Sequence, residues 1–139
     1  MNIVSIISDE IGYDKNRNQL LDIKGIRDEI MIDDQNDARF CISVILNGII
    51  KEDIRVLIRL ENPKLGNYLN IGEKDIENPD SRNVSTIDYK LIFDADIRFP
   101  EVGTYILRSI VMPLVDVEQE DEDKINLLAQ NIISLEVKR

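Results

Sequence analysis

The sequence predicts an all-β fold, a two-sheet antiparallel sandwich of about seven to nine strands. Three observations point there. Several windows alternate apolar and polar residues with a period of two, the spacing that places every second side chain on the same face of a pleated strand. The aliphatic residues are dominated by isoleucine, which is stiff at its first side-chain torsion and packs well on a sheet. Finally, the stretch FPEVGTYILRSIV, from Phe99 to Val111, sets a proline, a glycine and a tyrosine just ahead of an apolar run.

In chain order, MNIVSIISDEIG reads as a first strand. The following QLLDIKGIRDEIMID alternates through Leu21 and Ile23, breaks at Gly25 and resumes at Ile26, Asp28, Ile30 and Ile32, so that Gly25 marks a bulge or a close backbone approach. Alternation returns at Phe40, Ile42, Val44 and Leu46, and again at Ile54, Val56, Ile58 and Leu60. Between these runs Asn47-Gly48 gives a turn signal, and the two strands either form a hairpin or belong to opposite sheets. Asn62-Pro63 and Gly66 mark a turn before a short strand over 68–71, and the polar stretch over about 73–85 reads as an exposed loop. From Ile87 the longest alternation sets Ile87, Tyr89, Leu91, Phe93, Ala95, Ile97 and Phe99 against a wet face of Asp88, Lys90, Asp94, Asp96 and Arg98. That is a half-buried antiparallel strand, or one bent near Asp94 to Asp96. KINLLAQNIISLEVKR fits either a helix or a strand in its first half, and a strand from Ile132 to Val137.

In a sandwich, a chain crossing between sheets needs a residue free of side-chain clash and a tether at the corner. Pro100 ends ladder pairing, Gly103 tolerates a positive backbone torsion, and Tyr105 opens the next strand. A tyrosine at this corner, two residues before an inward position that would here be Leu107, predicts an immunoglobulin-like sandwich; an ordinary turn with Tyr105 in the core is the simpler alternative. Taken with VSIISDEI, LLDIKGI, IRVLIRLENP and SLEV, the element FPEVGTY makes nearly the whole chain resemble an uncharacterised bacterial family of small immunoglobulin-like β-sandwich proteins. The acidic segment after Pro113 departs from the compact hairpin expected there. The resemblance implies a fold and no catalytic or binding residue.

At 139 residues the chain suits one domain, 1–139, that buries a core without disulfides or a structural metal. The single cysteine, Cys41, sits in RFCISVIL and reads as small core filler in a reducing, cytoplasmic setting. The N-terminus carries no basic region before Asp9 and Glu10, unlike a secretory or transit segment. A formal charge of −10 disfavours nucleic acid and anionic membrane, since phosphate binding needs clustered Lys or Arg.

The absence of histidine removes the commonest general base and every histidine metal site. No Walker loop, dinucleotide fingerprint or nucleophile elbow occurs, and the absence of Trp argues against a carboxylate-only glycosidase. The densest chemical feature is DVEQEDEDK, where Asp116, Glu118, Glu120, Asp121, Glu122 and Asp123 form an acidic loop over about 116–124. Calcium takes six to eight oxygen ligands, so this loop is a candidate calcium or partner site, although its spacing lacks the EF-hand pattern and a solvated loop explains it more simply. Asp94 and Asp96 share the wet face of one strand, where Asp9, Glu10 and Asp14 join them only if the topology allows. The expectation is a non-enzymatic protein-interaction or assembly module, without a cofactor, whose partner is another protein or a second copy. The alternative is a calcium- or small-ligand-binding sandwich using the acidic loop.

Overall fold

The computed structural model describes residues 1–14, 19–25, 27–80, 83–116 and 127–139. The alternating windows become strands because each offers one dry and one wet face, and two such dry faces exclude water only by meeting. In chain order the strands are β1 (Asn2–Ser8), β2 (Glu10–Asp14), β3 (Gln19–Lys24), β4 (Glu29–Met31), β5 (Asp37–Ile50), β6 (Ile54–Asn62), β7 (Asn67–Ile76), β8 (Ser85–Arg98), β9 (Gly103–Pro113) and β10 (Ala129–Lys138).

One sheet has the order β1-β5-β8 and the other the order β4-β10-β9-β6-β7, while β2 and β3 form a separate two-stranded ribbon. All pairings are antiparallel except that of the short β4 with β10. This is the immunoglobulin-like arrangement. By position, β1, β5 and β8 stand where its strands A, B and E stand, β6, β9 and β10 where C, F and G stand, and β7 flanks β6 as C′ does. Among the described residues no strand occupies the D position beside β8.

The core lies between the sheets. Phe40, Ile42, Val44 and Leu46 of β5 face Ile54, Val56, Ile58 and Leu60 of β6 and Leu107 and Val111 of β9 within one buried cluster. The two alternating runs therefore belong to opposite sheets rather than to a hairpin. One polar contact crosses this interior: the hydroxyls of Ser5 on β1 and Ser109 on β9 lie 2.6 Å apart and satisfy each other, which removes the cost of burying either alone.

Several expectations change. Asn47 and Gly48 do not turn the chain but continue β5, and the connection to β6 falls at 51–53. Gly48 (φ +144°) is needed for close approach, since a Cβ there would stand 2.7 Å from Met1 Cα. Glu73 to Ile76, expected in the exposed loop, belong to β7, which runs well beyond 68–71. Only Ile76, buried in the core, is apolar in this part of the strand, and Glu73 to Asp75 are exposed; they are held by pairing with β6 and by Arg55, which binds Asp75 at 2.6 Å and Glu73 at 3.5 Å. The shortened loop after it is tied down by Asn78, a buried side chain whose Nδ2 donates to the Asn83 carbonyl while its own N–H donates to Asp53. Cys41 lies on the outer, half-buried face of β5 and fills no core space, because the inward positions of that strand are the even-numbered ones. The bend considered near Asp94 to Asp96 does not interrupt pairing, since β8 keeps register with β5 throughout. The C-terminal stretch is strand from Ala129 onward.

The fully buried Leu107 tests where stability resides. Leu107→Ala is expected to cost about 2–5 kcal/mol in urea unfolding, against under about 0.5 kcal/mol for Leu65→Ala on the exposed turn after β6.

Candidate functional site

Three places on this scaffold bring chemically distinct groups together. The first is the corner between β8 and β9. Phe99 and Tyr105 are both buried and pack edge to face, with ring centroids 5.1 Å apart at 77°. The Tyr105 hydroxyl donates to the Glu101 carbonyl oxygen at 2.8 Å, four residues upstream, and burial pushes its pKa up. Gly103 has a φ of +141°, and Pro100 is exposed immediately after the buried Phe99. A cavity of 160 Å³ opens beside them, lined by Leu60, Leu69 and Phe99 among others, well below the roughly 300 Å³ at which ligand sites usually begin. The corner is a tether.

The second is the outer face of the five-stranded sheet, where charges on neighbouring strands face one another. Arg108 on β9 donates to both carboxylate oxygens of Glu61 on β6, at 2.8 and 3.2 Å, and to Gln130 on β10 at 3.2 Å. Arg59 lies 4.2 Å over the ring of Tyr68, and Arg55 grips Asp75 with two bonds of 2.6 and 3.0 Å. Hydrogen bonding from Arg55 holds the Asp75 carboxyl below its ordinary 3.8 and raises the Arg55 guanidinium in return. The network locks register and leaves these charges answered within the sheet.

The third is the outer face and free edge of the three-stranded sheet. Register sets Ser8, Cys41 and Asp94 side by side, so the topology does bring Asp9 near Asp94. The Cys41 thiol has Asp94 Oδ1 at 3.3 Å and the Asp9 carbonyl oxygen at 3.7 Å as acceptors, while the Asp9 carboxylate is bound by Arg27 at 2.7 Å. Gly25, in a left-handed conformation at φ +69°, leaves space for that carboxylate. Asp96 faces Arg39 at 3.8 Å, and Arg98 binds Asp37 at 3.1 Å, a bond that raises the Arg98 guanidinium. Asp94 and Asp96 therefore diverge to different partners. Glu10 and Asp14 lie on β2, and their side chains fall outside the described residues.

β8 is the longest edge strand of the two sheets. It pairs with β5 over fourteen residues, and its other edge has no strand beside it among the described residues. The two edges of the five-stranded sheet are guarded. β4 is three residues long; β7 carries a bulge opposite Ile58 and Arg59 and turns the exposed Lys74 toward the inner side. β1, the other edge of the three-stranded sheet, carries no such device but is half as long as β8, seven residues against fourteen. β8 has no bulge, no internal proline and no inward charge, and midway along it Tyr89, Leu91 and Phe93 are only half-buried, while Ile87, Ala95 and Ile97 beyond them are buried. Sequence reading found the strand and missed the edge, since nothing in one strand reveals whether it has one neighbour or two.

Of the acidic loop, Asp116 ends a short 3-10 turn, Leu114–Asp116, and Glu118, Glu120, Asp121, Glu122 and Asp123 lie outside the described residues. Among the described residues no group of three or more Cys, Asp or Glu could hold a metal ion, and no helix is long and apolar enough to cross a membrane.

No protein-family model matches this chain, and no curated protein does. Among solved structures it is similar to the CARDB domain of a Pyrococcus furiosus protein in complex with di-metal ions, at 8% identity and a TM-score of 0.38, covering 97% of this chain and 88% of that one. The ions remain a property of that protein.

Two measurements probe these sites. Tyr105→Phe keeps the ring contact with Phe99 and removes only the tether, and should cost about 1 kcal/mol in urea unfolding. Because the folded Asp75 is held below 3.8, its contribution is complete above that value and disappears as pH falls below it. The stability gap between wild type and Asp75→Asn, clear at about pH 6, should therefore narrow steadily as the pH is lowered below 3.8.

Proposed function

We propose that this immunoglobulin-like sandwich is a non-enzymatic interaction module that holds another protein chain along the free edge of β8. The observation that carries the reading is that edge: the backbone donors and acceptors of alternate residues along a fourteen-residue strand, flanked by half-buried apolar side chains where the fold would otherwise place strand D. An added strand gains affinity from main-chain bonds and specificity from the alternate side chains it packs inward. The acidic charge fits a protein partner better than a nucleic acid.

The test is capture of tagged protein with its native partners, run beside light scattering of the purified chain. Wild type is expected to retain a stoichiometric protein, either itself or another chain. Leu91→Lys, which turns a charge into the edge as natural edge strands do, is expected to lose it while keeping a cooperative melt. A strict monomer that captures nothing, or capture indifferent to Leu91→Lys, would contradict the reading. A rise in melting temperature with calcium that disappears when Glu120 to Asp123 lose their charge would replace it with the ligand-binding alternative.

A further inference from the structure

The β8 edge also carries information about which chain it accepts. Resting on the reading above, we propose that its partner is a second copy of this chain, paired antiparallel about a two-fold axis at Phe93. The two three-stranded sheets then join into one sheet of six.

The argument comes from the charges of the wet face. Along β8 the outward residues are Thr86, Asp88, Lys90, Ile92, Asp94, Asp96 and Arg98. In a two-fold antiparallel pair, residues equidistant from the axis stand opposite each other, and directly opposed like charges are destabilising. With the axis at Phe93, Lys90 meets the partner's Asp96, Asp88 meets the partner's Arg98, and Ile92 meets the partner's Asp94. Each of these pairs occurs twice and none joins like charges. Neighbouring registers fail: an axis at Leu91 opposes Asp88 to Asp94, one at Ile92 opposes Asp88 to Asp96, one at Asp94 sets that residue against itself, and one at Ala95 opposes Asp94 to Asp96. At Lys90 the lysine meets itself.

The inner face agrees with the same axis. Phe93 meets the partner's Phe93 and Leu91 meets the small Ala95, so the side chains left half-buried at mid-strand are the ones the second copy covers. Opposite Phe93 the other sheet carries Gly72, where a side chain would collide with that ring, so the space the ring occupies is already reserved.

The test is a charge exchange read by sedimentation velocity. Wild type is expected to dimerise. Lys90→Glu, which opposes a glutamate to Asp96 twice, and Asp96→Lys, which opposes a lysine to Lys90 twice, should each weaken the dimer at least about tenfold. Both positions are exposed, with the Asp96 side chain at 69%, so each variant should melt near wild type. Mixing the two variants sets the introduced glutamate of one chain against the introduced lysine of the other and leaves one native pair of Lys90 with Asp96 intact, so a mixed dimer should return. A wild type that is monomeric at every concentration overturns this inference, and capture of a different protein sensitive to Leu91→Lys would still uphold the edge-binding reading. Dimers indifferent to both variants, or variants that do not complement when mixed, overturn the register and with it the proposal.

Discussion

The structure depends on the mutual closure of two apolar faces. Phe40, Ile42, Val44 and Leu46 on one sheet and Ile54, Val56, Ile58 and Leu60 on the other are all nearly or wholly removed from solvent, and neither set can remain dry without the other. Sheet order, strand alternation and the corner at Tyr105 serve that closure. So does the buried serine pair, which lets two hydroxyls enter the interior without leaving either unsatisfied.

Closing two sheets of unequal width has a consequence at their borders. The five-stranded sheet ends in β7, a strand made unattractive to neighbours by its bulge, its inward lysine and its acidic outer face. The three-stranded sheet ends in β8, which has no bulge and no inward charge, and whose inward row from Ile87 to Ile97 is uncharged. The acidic chain as a whole repels its own kind at long range, yet the local order of charge along β8 is self-complementary about an axis at Phe93. Net charge and local pattern act at different distances, and within strand-pairing range the pattern decides.

Much of the fold was legible because period-two alternation survives wherever one face is buried. Phe40 to Leu46, Ile54 to Leu60 and Ile87 to Phe99 all face the interior as their spacing implied. Legibility failed where burial does not follow that pattern. Glu73 to Asp75 form strand with both faces wet, Gly48 serves close packing against Met1 rather than a turn, and Cys41 sits on the outward parity of β5 despite its apolar neighbours. The corner was readable from Pro100, Gly103 and Tyr105 because its chemistry is local. The free edge was not, since it is a property of sheet order and only three-dimensional pairing defines it.

Amide hydrogen exchange along β8, measured at rising protein concentration, tests the central claim most directly. Edge pairing predicts that alternate amides of Ser85 to Arg98, those turned away from β5, gain protection as concentration increases, while the amides on the free edges of β1 and β7 do not. If the β8 amides exchange as freely at high concentration as at low, the strand is not joined to a second copy and the account of its edge is wrong.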